Sequence, residues 1–168
     1  MRFELLDKVL SADGERIVAV KRVSLAEEYL ADHFPTFPVL PGVMMLEAAT
    51  QACGWVMRLR TNFERPVVVL KEAKNVKYGH FVAPGQGLRV EAERVSGDEV
   101  SGSFKVVGVV ERGEGLGEKA AFTARLEVVC FRPGEKSPAL AHLDGPLAAH
   151  ARRRWALIAP SEAANLPV

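Results

Sequence analysis

Residues 33–51 read HFPTFPVLPGVMMLEAATQ, and the rest of the chain is arranged around them. Pro35, Pro38 and Pro41 keep the first half of this stretch out of a helix, and each also disfavours helical backbone at the residue before it, Phe34, Phe37 and Leu40. That half is a stiff extended loop. Pro41 is tolerated in a first helical turn, Gly42 permits close backbone approach, and from there to about Arg60 only the tolerated Gly54 interrupts good helix formers. The sequence predicts one helix over residues 42–59. Between Val43 and Met57 its strongly polar side chains are Glu47, Thr50 and Gln51, with apolar residues on every face, so the helix is expected to be enclosed. A carboxylate in such a helix is costly unless paired or protonated, which singles out Glu47. Gln51 lies one turn on, on the same face, within hydrogen-bonding reach of it. His33 stands at the far side of the rigid loop, which can fold it back towards the helix.

The chain of 168 residues suits one domain, and a helix apolar all round suggests that a partner subunit helps to enclose it. Lysine plus arginine number 22 against 21 acidic residues, so net charge gives no push towards nucleic acid, and Arg152, Arg153 and Arg154 beside Trp155 read as a solvated face or local patch. Cys53 and Cys130 lack the spacing of a redox pair or a metal knuckle and read as free buried thiols. No pair among the four histidines has ligand spacing with a cysteine or acid that points to zinc; His142 and His150 read as solvated, and His80 as structural or substrate-lining. Acidic residues among the first thirteen are unlike a signal peptide, and Glu47 interrupts the best apolar run, so a cytoplasmic protein without membrane insertion is expected.

In chain order, residues 1–14 read as an irregular arm, Arg16 to Val23 as a strand with Ile17, Ala19 and Lys21 on one side, and residues 25–31 as one or two helical turns. After the helix, Val67 to Tyr78 opens on VVVL and reads as a strand that is central at its start. Leu88 to Val95 alternates strictly, with Leu88, Val90 and Ala92 inward. Ser96-Gly97-Asp98 is a hairpin turn, Val100 to Val110 a strand, Glu111 to Gly117 a second turn and Lys119 to Cys130 a last strand. Residues 135–146 read as loop, 147–158 as a surface helix and the last ten as a free tail. The class is α+β, a long central helix wrapped by an antiparallel sheet, with a domain over residues 1–132 and an extension over 133–168.

This layout resembles the hot-dog fold, and the local sequence is more specific. HFP, then PVLPG, then MLEAATQ resembles the signature of the hydroxyacyl-acyl-carrier-protein dehydratases of fatty acid synthesis, and VKYGHFVAPGQGLRVE at residues 76–91 resembles their second conserved region. The resemblance spans about residues 1–130. It implies a catalytic histidine at His33, a catalytic acid at Glu47, a thioester-binding backbone N–H at Gly42 and an orienting side chain at Gln51. It further implies a homodimer, alone or as a trimer of dimers, with the histidine and glutamate of one site on opposite subunits. No metal or organic cofactor is implied, and the substrate is a thioester of acyl carrier protein or coenzyme A. Asp32 and Thr36 depart from the family pattern, where both positions are usually glycine, and both flank His33.

The chemistry is consistent with those assignments. Removing water from a 3-hydroxyacyl thioester needs a base for the proton beside the carbonyl, which His33 supplies near neutral pH, and an acid for the leaving hydroxyl, which a buried Glu47 supplies. Charge developing on the thioester oxygen meets the Gly42 N–H at the helix start. Phe37 and the methionines suit an acyl chain. Two other readings of the same fold are an acyl thioesterase, with an acidic residue activating water, and a non-catalytic acyl-binding protein.

Overall fold

The computed structural model describes residues 3–111 and 119–160. The proline-rich loop hands over to helix α1, Gly42–Arg60, whose bounds follow the sequence expectation closely. Around it six antiparallel strands form one sheet in the order β1-β2-β4-β5-β6-β3: β1 Lys8–Ala12, β2 Arg16–Arg22, β3 Val67–Tyr78, β4 Gly87–Gly97, β5 Ser101–Glu111 and β6 Lys119–Phe131. This is the hot-dog arrangement. Leu88, Val90 and Ala92 of β4 all point into the core, as their alternation requires. Lys21 also points inward beside Ile17 and Ala19, and its ammonium donates to the Glu27 carboxylate and the Arg22 carbonyl. The turns of residues 25–31 reduce to one 3-10 turn, Glu28–Ala31.

Three expectations need correction. The opening residues are not an irregular arm throughout, because Lys8–Ala12 pairs with β2; a register shift between Val9 and Ser11 breaks the alternation that would have marked a strand. The VVVL strand is not central. β3 bonds to β6 and ends the sheet, and Val69 and Leu70 stay 42% and 37% exposed along its open side. Residues 135–146 are not plain loop either: Pro133–Lys136 and Pro138–Leu143 form helical turns that lead into a helix Asp144–Ile158, here α2. The expected turn over residues 111–117 and the tail of the last ten residues fall largely outside the described residues.

Helix α2 buries Ala151, Trp155 and Ile158 against the core. The Trp155 ring lies 5.5 Å from that of Trp55, Arg152 donates to the Asn62 carbonyl and stacks over Phe63, and Arg154 donates to the Leu6 carbonyl and pairs with Glu4. Two of the three arginines are therefore anchors rather than a solvated patch. The face of α1 around Trp55 is covered by the chain's own α2. What stays open on α1 lies near its start: Val43 is exposed, and Leu46, Glu47 and Gln51 are half-buried. Cys53 and Cys130 are free and buried, and burial drives both thiols up, Cys53 beyond any physiological titration. Among the described residues no helix is long and apolar enough to cross a membrane.

Candidate active site

The loop before α1 is held by its own backbone. Phe37 N–H donates to Phe34 O at 2.9 Å, Val39 N–H to His33 O at 3.2 Å and Leu40 N–H to Val82 O at 2.8 Å. His33 is half-buried in this loop, with its Nδ1 3.1 Å from the Val39 carbonyl. A carbonyl only accepts, so Nδ1 carries a proton, and in the neutral ring Nε2 is the nitrogen left with its lone pair. The loop thus fixes the tautomer that a base needs.

Aromatic side chains surround this point. Phe37, exposed, meets Phe81 edge to face at 5.5 Å, and Phe34 lies 4.4 Å from the His33 ring. The Tyr78 ring covers Gly42 so closely that an added Cβ there would come within 2.9 Å of it. Only glycine lets the first turn of α1 approach that ring; Met44 and Met45 donate to the Pro41 carbonyl, while the Gly42 and Val43 N–H groups at the very start have no described backbone partner. Tyr78 and Phe81 were missed from sequence; the aromatic pair flanking Gly79-His80 at the end of a polar strand is the signal by which they could have been found. His80 itself is exposed.

Glu47 and Gln51 meet as their spacing requires. Gln51 Nε2 donates to Glu47 Oε1 at 2.9 Å and to the Phe3 carbonyl at 2.8 Å, while its Oε1 accepts from the Leu5 N–H at 2.9 Å. One amide therefore orients the carboxylate and pins the amino-terminal arm. Glu47 is less enclosed than expected, because it lines a cavity of about 290 Å³ between α1, the arm, the start of β3 and α2. His33 is not among the residues lining that cavity, and within one chain no described contact joins His33 to Glu47. Among the described residues no group of three histidine, cysteine or acidic side chains is arranged to hold a metal ion.

A FabA-like domain model matches residues 1–114, about two thirds of the chain. The chain belongs to the FabA-like family. Among the similar proteins of this FabA-like chain is the 3-hydroxyacyl-acyl-carrier-protein dehydratase FabZ of Solibacter usitatus (strain Ellin6076), 32% identical over 151 residues, with 86% of each chain covered. Another FabZ, from Anoxybacillus flavithermus (strain DSM 21510 / WK1), is 31% identical over 140 residues, covering 80% of this chain and 89% of its own. In structure the FabA-like chain is similar to the dehydratase heterocomplex ApeI:P from Xenorhabdus doucetiae, with a TM-score of 0.61 and 20% identity over 82% of this chain and 89% of the other. The PaaI protein of E. coli shares the fold at a TM-score of 0.54 and 12% identity, covering 73% of this chain and 81% of its own. These two likenesses speak to fold alone.

Proposed function

We propose that this FabA-like chain is a 3-hydroxyacyl-acyl-carrier-protein dehydratase of fatty acid synthesis, a lyase that forms trans-2-enoyl thioesters. Its working unit is a homodimer in which His33 of one subunit faces Glu47 of the other. The observation that carries this reading is the His33 Nδ1 bond to the Val39 carbonyl, which makes Nε2 the basic nitrogen of the neutral ring, in a chain whose FabZ relatives are named for this reaction. In the reaction Nε2 takes the proton from C2 of the acyl chain, and the negative charge moves onto the thioester oxygen, where the Gly42 N–H receives it. Glu47, held by Gln51, protonates the hydroxyl on C3. The C3–O bond breaks, the C2–C3 double bond forms and water leaves. Phe37, exposed on the His33 loop against Phe81, takes the substrate's apolar part.

The separation of His33 from Glu47 within one chain supports the division between subunits, and the open side of β3 with Val69 and Leu70 supports pairing of the two sheets there. The test uses two inactive variants. His33→Ala and Glu47→Gln are each expected to lose activity by at least the ~10²–10⁴-fold typical of a positioned proton-transfer group. Mixed and allowed to exchange subunits, they should regain about a quarter of wild-type activity, since each mixed dimer holds one intact site. Enoyl-thioester absorbance is the readout. Release of free thiol without enoyl product would replace this reading with the thioesterase one, and mixtures that stay inactive would place both groups of a site on one subunit.

A further inference from the structure

We propose that the cavity behind Glu47 takes the far end of an acyl chain that terminates in a carboxylate, and that Arg58 recognises that carboxylate. The inference rests on the dehydratase reading for what enters the cavity, but the site itself is argued from this chain alone. Glu47, Thr50, Gln51, Gly54, Trp55 and Arg58 form one stripe of α1 at helical spacing, and all of them line the cavity. Glu47 and Arg58 stand three turns apart, roughly 16 Å along the helix. At about 30 Å³ for each water-sized group, the 290 Å³ cavity holds on the order of ten non-hydrogen atoms.

Arg58 differs from the other cations of the cavity wall. Arg154 pairs with Glu4 at 3.2 Å, and His150 lies 3.5 Å from the same carboxylate. Arg58 donates its Nε to the Pro66 carbonyl at 2.9 Å and sits over the Trp55 ring at 4.8 Å, yet among the described residues no carboxylate comes within ion-pair distance of it. Burial pulls its guanidinium down to about 10, still charged at neutral pH, so the far end of the cavity holds a partly desolvated positive charge with no described carboxylate directly paired to it. The helix makes room for this arrangement. A Cβ on Gly54 would come 3.2 Å from Arg58 Nη1 and 3.5 Å from Val68 Cβ, so the mid-helix glycine leaves the guanidinium its place between α1 and β3. Helix α2, with Leu147 and Ala151, closes the opposite wall and limits how far a chain runs.

The first test needs no turnover. Octanoate and methyl octanoate are titrated into the full-length protein by calorimetry, the two probes differing in charge at one end. Octanoate is expected to bind about 10–100-fold more tightly than the ester, the scale of a charge-assisted hydrogen bond, and Arg58→Met to remove that preference. Arg58→Lys, which keeps the charge without the fork, should retain part of it and serves if the methionine variant fails to fold. Equal binding of acid and ester by the wild type, or an undiminished preference in Arg58→Met, overturns the proposal. The second test compares 3-hydroxydodecanoyl and 3-hydroxydodecanedioyl thioesters, whose carbons beyond C3 match the length of the cavity, and the carboxylated chain is expected to have the higher kcat/KM. Octanoate binding through Arg58 with neither thioester dehydrated would remove the dehydratase reading and leave the carboxylate site standing. Dehydration of both at equal rates, with acid and ester bound alike, would do the reverse.

Discussion

Gln51 carries two duties that a substitution can separate. Its Nε2 holds Glu47 and the Phe3 carbonyl, and its Oε1 holds the N–H of Leu5, a residue only 3% exposed. Gln51→Ala is therefore expected to slow turnover roughly 10–100-fold through a misdirected carboxylate and also to lower stability by about 1–2 kcal/mol, because the part-buried Leu5 N–H of the arm loses its partner. Glu47→Gln should abolish turnover with little change in Tm. Urea melts beside enoyl-thioester assays separate the two effects, and equal losses of turnover in both variants would make Gln51 a participant in the chemistry. Gln51 beside Glu47 was legible from a four-residue spacing. The arm it clamps was not, since contacts between residues 46 and 48 positions apart leave no local pattern.

Among the elements, α1 was the easiest to read because three prolines fix where it begins and a long run of helix formers follows. Edge and interior were harder. VVVL in β3 has the composition of a buried strand but lies at a rim, so its apolarity reports a surface rather than a core. α2 was foreseen as a surface helix, yet Trp155 among arginines is its anchor, and Trp155→Ala should cost about 3–5 kcal/mol in a denaturant titration. The β4–β5 turn makes a different prediction. The Ser101 hydroxyl, with the N–H groups of Val100 and Ser101, holds the Asp98 carboxyl below its ordinary value. A depressed folded value means that its contribution is complete above the unfolded value and is lost as pH falls through the folded one. Wild-type Tm should thus decline more steeply below about pH 4 than that of Asp98→Asn, measured by thermal melts at stepped pH.

At the scale of the molecule, the proposed site draws its histidine and its glutamate from two subunits, so the reading stands or falls with association. Light scattering should give a mass about twice the 18.3 kDa of one chain. Val69→Lys combined with Leu70→Lys, placing two charges on the open side of β3, should shift that mass towards the monomer, and activity should fall in proportion to the dimer lost. A fully active monomer would remove the two-subunit site.

The contact between α1 and α2 contains both tryptophans of the chain, Trp55 and Trp155, their rings 5.5 Å apart and Arg58 resting on one of them. Intrinsic fluorescence of this protein is consequently a label-free gauge of a single joint. Emission colour and quenching follow the seating of the carboxy-terminal helix, and a ligand that draws the guanidinium off the indole writes its arrival into the same signal. A stopped-flow trace at one excitation wavelength can then time the arrival of a ligand at Arg58, with no dye attached and no residue replaced.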